Sequence, residues 1–360
     1  MILRAPARAV ARLCLGAALL LVLATAAAAD ATAIVHMVKP GDTLASIAEL
    51  YYGDPRRESV LVAENGLTSE GGSAIVVGLR LNIPTVSYHV VQEGETWAAV
   101  ATRYYGDPSR AFALIEANGG SAGEHPDPGA ELLIPYPLRH VSGQADTLRK
   151  VAKTYYKSLK GMKTIRRFNQ IKRNRLTRGQ IVLIPLDDLV LSKSGKEAVE
   201  QAGMKAPEGG AKRDKQQAID QELPALREHV RAGRSADAVA MSTRLIGAGD
   251  LTGNQIVTIN RELGTALVAL GRGDLAIEAF KAVLAQQPYA ELDAMRTSPK
   301  VLAVFTQAQK LVATPPKQDK AKRAKGKKRT SKSKSKKSKS KSKGKAKAKA
   351  KAKAKNAKKK

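Results

Sequence analysis

The sequence predicts an α+β chain. Three tandem strand–helix–helix–strand (βααβ) modules come first, then an all-α helical-repeat segment, then a disordered basic tail. Three observations carry this reading. The pentapeptide Tyr-Tyr-Gly-Asp-Pro occurs at 51–55 and again at 104–108, and a third Tyr pair stands at 155–156. Apolar residues recur at helical spacing across 217–312. From Lys317 to Lys360 there are 24 Lys and Arg against a single acid, Asp319. That tail holds most of the chain's net charge of +30, so the remainder is only mildly basic.

The first 29 residues read as a secretory signal peptide. Arg4, Arg8 and Arg12 open it, Leu13 to Leu23 is apolar, and the run Ala26-Ala27-Ala28-Ala29 offers an A-x-A cleavage site. The apolar run is shorter than the ~20 residues a membrane span needs, so cleavage is favoured over an anchor. The single cysteine, Cys14, lies within this segment. The exported product would then hold no cysteine, hence no disulfide, thiolate metal site or cysteine nucleophile.

The repeat unit extends well beyond five letters. Units begin at His36-Met37-Val38, His89-Val90-Val91 and His140-Val141-Ser142, each reading as a strand. An acid and a threonine follow: Asp42-Thr43, Glu95-Thr96 and Asp146-Thr147. They stand where a helix N-cap belongs. Helix one has an apolar face at i, i+3, i+4 and i+7: Leu44, Ile47, Ala48 and Tyr51, then Trp97, Val100, Ala101 and Tyr104, then Leu148, Val151, Ala152 and Tyr155. Gly53 and Gly106 stop it, and Asp-Pro opens helix two. Helix two ends at Asn65, Asn118 and Asn169. A second strand closes each unit at Ile-Pro: Ile83-Pro84, Ile134-Pro135 and Ile184-Pro185. The third unit lacks the glycine before its acid and the Gly-Asp-Pro turn, and its second helix and loop are rich in Lys and Arg.

The order G-D-T-L…I-A, a mid-unit Asn and a terminal G-x-x-L-x-I-P resembles the LysM module. Three LysM-like modules are expected at 36–85, 88–136 and 139–186, the last divergent. The resemblance implies binding of glycans that contain N-acetylglucosamine, chiefly peptidoglycan. It places the sugar between the strand-one/helix-one turn and the loop after helix two. In module 1 the implied glycan-binding residues are Gly41, Asp42, Thr43 and Leu44 on one wall and Asn65, Gly66 and Leu67 on the other. In module 2 they are Gly94, Glu95, Thr96, Trp97 and Asn118, and in module 3 Asp146, Thr147, Leu148 and Asn169. Asp42 and Thr43 are expected to cap the helix and line the groove as a consequence. Trp97 stands at the Leu44 position and suits either core packing or sugar stacking. The aligned histidines are read as structural. Backbone amides and carbonyls in such a loop can pair an acetamido group while apolar side chains cover its methyl. Repetition along one polymer adds avidity.

Residues 192–216 are polar and read as a linker. In the 217–312 segment, the spacing of Leu263-Gly264, Leu267, Gly271, Ala276, Phe280 and Pro288 resembles a tetratricopeptide repeat, which implies a protein partner on its surface. A plain helical bundle is the alternative. Residues 313–360 cannot bury a core and are expected to be disordered. Such a tail binds polyanions by counterion release, so its expected partner is an anionic envelope polymer: lipopolysaccharide, anionic lipid or extracellular DNA. No G-x-S-x-G, H-E-x-x-H or clustered metal-ligand motif appears. No catalytic residue, metal or cofactor is therefore expected. The sequence reads as a non-enzymatic protein exported to the periplasm or envelope of a bacterium. The alternatives are a periplasmic assembly scaffold acting through the helical segment, and a polyanion binder with the tail primary.

Overall fold

The structure, a computed structural model, describes residues 34–67 and 75–313. The expected signal peptide and basic tail lie outside the described residues. Those described fall into two compact units, divided between Glu262 and Leu263.

The first unit opens with three βααβ modules. Module 1 runs β1 (Ile34–Met37), α1 (Leu44–Tyr52), α2 (Glu58–Glu64) and β2 (Arg80–Ile83). Module 2 runs β3 (Ser87–Val90), α3 (Trp97–Tyr105), α4 (Ala111–Asn118) and β4 (Glu131–Ile134). Module 3 runs β5 (Tyr136–Val141), α5 (Leu148–Tyr156), α6 (Gly161–Phe168) and β6 (Ile181–Leu186). Each strand pair is a two-stranded antiparallel sheet, and each aligned His sits in equivalent register: His36 opposite Leu81, His89 opposite Leu132, His140 opposite Val182.

Local chemistry explains the repeat. Thr43, Thr96 and Thr147 each accept the N3 amide of helix one, and Thr43 with Ser46 completes a reciprocal capping box. Gly53 and Gly106 end helix one at φ of +70° and +68°, where a side chain is disfavoured; Lys157 takes this conformation in module 3. Asp54 and Asp107 then cap short 3₁₀ turns, Pro55–Arg57 and Pro108–Arg110, that lead into helix two. The doubled tyrosine has two separate tasks. The second member donates its hydroxyl to the closing proline carbonyl: Tyr52 to Pro84, Tyr105 to Pro135, Tyr156 to Pro185. The first member meets the strand histidine. In module 2 it is Tyr105 that is buried and Tyr104 half-buried, because Phe168 of module 3 packs edge-on to Tyr105 at 5.1 Å.

The modules share cores. Val60 of α2 and Leu133 of β4 join the module 3 core around Leu138, Leu148, Ile165 and Ile184. Arg57 is buried; it donates to the Tyr155 carbonyl at 2.7 Å and pairs with Asp188. A buried cation is tolerable only with such partners.

The span expected to be a linker is ordered. It holds α7 (Lys193–Gln201) and the start of α8 (Ala211–Arg231). Ser192 caps α7 and also donates to the Leu50 carbonyl, while Leu191 and Val199 bury into the module 1 core. Few apolar residues stand among many charges, so the periodicity was too weak to read. Glu131 of module 2 likewise accepts the Gly210 and Arg213 amides at the start of α8. Helices α9 (Ser235–Gly247) and α10 (Gly253–Ala269) follow, α10 crossing into the second unit. That unit continues with α11 (Gly273–Gln286) and α12 (Pro299–Ala313). In it Gly264 lies against Phe280, where a Cβ would come within 2.5 Å of the ring, and Phe280 meets Phe305 edge-on at 5.2 Å. No helix among the described residues is long and apolar enough to cross a membrane.

Candidate functional site

In each module, the turn between strand one and helix one is the first of the two walls that the LysM resemblance implies. The chain after the helix-two asparagine forms the other. Gly41 and Gly94 take positive φ in the first wall and are exposed, as is Gly66 in the second. Residues 68–74, which follow Leu67 in sequence, lie outside the described residues. Leu44 and Leu67, one from each wall, are half-buried on the same core cluster.

Most polar side chains of the expected site are engaged within the protein. Asp42 Oδ2 accepts from the Lys39 amide at 2.7 Å and contacts His36 Nε2 at 3.0 Å. Glu95 holds the Gln92 amide and His89 in the same way, and Asp146 the Gly143 amide and His140. The cap is thus threonine alone, and the acid serves the strand. The other histidine nitrogen meets the first tyrosine of each pair: His36 with Tyr51 at 3.1 Å, His89 with Tyr104 at 3.4 Å, His140 with Tyr155 at 3.0 Å. This acid–His–Tyr array was not anticipated. Its signal was present: in every unit the acid stands six residues, and the tyrosine fifteen, after the histidine.

In module 3 a neutral His140 imidazole satisfies the array. Nε2–H donates to the carboxylate and Nδ1 accepts from the phenol. Burial pushes the His140 pKa down, against the opposing pull of Asp146. Burial also raises the Tyr155 phenol, to about 12, so it stays protonated and able to donate. Burial pushes the Asp146 carboxyl up, but Lys150, the Gly143 amide and His140 outweigh it, and the net shift is downward. A histidine whose folded pKa is depressed contributes its stability fully above the unfolded value, ~6.5. That contribution declines as pH falls below it, and the Asp146 contribution is lost only in the carboxylate range. An NMR titration of the His140 ring is expected to give a midpoint below ~6.5. A midpoint at or above that value would show the array holding the imidazolium instead.

The asparagines are clamps. Asn65 Nδ2 donates to the Leu61 and Asn82 carbonyls, and its Oδ1 accepts the Asn82 amide at 2.7 Å. Asn118 does the same with Leu114 and Leu133, and Asn169 with Ile165 and Leu183. Their carboxamides tie helix two to strand two.

The two walls meet differently in modules 2 and 3. In module 2, Trp97 lies between them with 8% exposure. Its Cζ2–Cε2 edge abuts Gly120, where a Cβ would come within 2.7 Å. That edge carries Nε1, which is buried and has no hydrogen-bond partner among the described residues. In module 3 the main chains pair directly. The Leu148 amide donates to the Asn174 carbonyl at 2.8 Å, the Leu176 amide to the Asp146 carbonyl at 3.2 Å, and Thr147 bridges Arg175. Leu148 is fully buried. The backbone of Asp146, Leu148, Asn174 and Leu176 is thus paired across the two stretches.

The LysM domain model matches residues 36–84, 89–135 and 143–185. Two proteins named as esterases, from two strains of Mycobacterium tuberculosis, are each 30% identical over 121 residues. The stretch covers 34% of this chain and 26% of each relative, so the chain spans about a quarter of the length of these curated relatives. LysM is a binding domain for glycans that contain N-acetylglucosamine, such as peptidoglycan, typical of extracellular and cell-envelope proteins. The chain carries three tandem LysM domains followed by a helical segment.

Proposed function

We propose that modules 1 and 2 bind a peptidoglycan-type glycan without catalysis, and that module 3 is chiefly structural. The unpaired Trp97 Nε1, buried where the two walls of module 2 meet, carries this reading. A buried donor without an acceptor costs about 1–3 kcal/mol, which an acetamido carbonyl or sugar hydroxyl would offset. The exposed Gly120 lies against the ring edge that carries Nε1. Since Asp42, Glu95 and the asparagine clamps are engaged internally, sugar contact in this reading falls to main chain and apolar surface. In module 3 the paired walls leave little room for it.

The esterase name of the relatives does not carry over, because the shared stretch is a minor part of those proteins. A scaffold role for the helical segment gains support from the close Gly264–Phe280 contact, at the spacing a tetratricopeptide hairpin would use. Export and polyanion binding by the tail complete the proposal: an envelope protein held to the wall by its modules, with a second, electrostatic hold on an anionic polymer.

Pelleting of the full chain with insoluble peptidoglycan, at low and high salt, tests it. Tail contacts weaken steeply with salt, whereas amide and apolar contacts do not. Co-pelleting is expected to persist at about 1 M salt, a regime where the Debye length is ~3 Å. It should be competed by soluble N-acetylglucosamine oligomers. Loss of all binding at high salt would transfer the function to the tail.

A further inference from the structure

The second helices of modules 2 and 3 border an open groove of about 890 Å³, built by α4 with its preceding turn and by the 159–167 stretch. Its floor is apolar: Phe112, Ile115, Met162 and Leu159, the last 43% exposed. Lys160, Lys163 and Arg167 stand exposed at the rim. Arg167 lies over the Phe112 ring, 4.1 Å from its centroid. The acid in the lining, Glu116, accepts from Thr164 Oγ1 at 3.2 Å and is not ion-paired to Lys160, Lys163 or Arg167, so three cations face one carboxylate. None of these residues belongs to the glycan walls.

We propose that this groove binds an anionic amphiphile of lipid type, with one apolar chain on the floor and a phosphate head held by the rim cations. The volume falls in the ~300–1,000 Å³ range of single-ligand clefts. Charge decides the head: Arg presents a fork that matches phosphate, and Lys supplies point charges beside it. A docked amphipathic helix would need apolar surface continuing past the groove, but the following loop of module 3 offers exposed Lys172, Arg173, Arg175 and Arg178 instead. A second copy of this chain is opposed by its own net charge of +30.

The test is an NMR titration of the ¹⁵N-labelled full chain with dodecyl phosphate below its micelle threshold. Inorganic phosphate and dodecyl maltoside serve as parallel probes. Saturable shifts of the Phe112, Ile115 and Met162 amides are expected with dodecyl phosphate alone. The double variant Lys163→Glu/Arg167→Glu should weaken binding at least about tenfold. Both side chains are exposed, and Lys163→Glu alone, which leaves Arg167 on the Phe112 ring, should weaken binding in the same direction. Leu159→Asp should weaken it through the apolar contact. The basic tail is present in every sample and cancels in the comparison. The proposal is overturned if these amides stay still, or if the double variant binds as tightly as the parent. It is equally overturned if inorganic phosphate alone saturates the site, or if an acidic amphipathic peptide displaces the amphiphile.

Discussion

Trp97→Ala is expected to unfold module 2 and abolish its glycan binding. The side chain sits in a core with Val91, Val100, Ala101, Leu114, Leu132 and Ile134, which a strand pair and two short helices supply. Removing a buried indole costs about 3–5 kcal/mol, a large fraction of the ~5–15 kcal/mol that holds a typical domain. Module 2 also shares Phe168 with module 3, so the loss should spread to its neighbour. Gly120→Ala attacks the same contact from the other wall, because its Cβ would press on the ring. Trp97→Phe separates folding from function. It keeps most of the apolar volume and removes only the N–H and part of the ring. Stability should drop by about 1–2 kcal/mol. Affinity for N-acetylglucosamine oligomers should fall by about three- to tenfold, one hydrogen bond's worth. Circular dichroism in urea gives the first quantity and isothermal titration the second. Unchanged oligomer affinity in the phenylalanine variant would remove Trp97 Nε1 from the site. In the parent, Trp97 is the single tryptophan, so its fluorescence should report sugar directly.

Much of this fold was legible because each local signal has a local cause. The 51- and 50-residue spacing of Pro84, Pro135 and Pro185 set the repeat, and Thr caps and Gly stops bounded helix one as expected. What escaped depends on contacts distant in sequence. The hydroxyls of Tyr52, Tyr105 and Tyr156 find their carbonyls about thirty residues away. Nothing in residues 192–216 signals that Leu191 and Val199 complete the core of module 1, since their burial is conferred by α1. In the expected site, the residue types were legible and their partners within the protein were not. Asp42, Glu95 and the asparagines have the chemistry of sugar ligands, and spacing alone could not show that backbone groups already occupy them. The closed walls of module 3 were equally hidden, because they arise from main-chain pairing of Leu148 and Leu176 that side-chain identity does not specify.

Asn118→Leu removes three hydrogen bonds, each of 2.8 Å: two join α4 to Leu133 of β4, and one holds the side chain to the Leu114 carbonyl within α4. Leucine has nearly the same volume, so packing is not the main loss. The cost comes from the Leu133 amide and carbonyl, left without partners beside a residue that is 92% buried by its 8% exposure. At about 1–3 kcal/mol for each unsatisfied buried group, the variant should lose about 2–5 kcal/mol. Asn118→Asp discriminates this account from a size effect. The carboxylate keeps an acceptor for the Leu133 amide but turns a second oxygen toward two carbonyls, so it should destabilise at neutral pH and recover as acid protonates it. Arg213, which donates to Asn118 Oδ1, should soften that penalty without removing it. Hydrogen exchange at the Leu133 amide localises the effect: protection should collapse in Asn118→Leu and persist in part in Asn118→Asp. If the leucine variant kept full protection there, the asparagine would be free for a ligand after all. The repeated mid-unit Asn would then regain the binding role that its position in the groove first suggested.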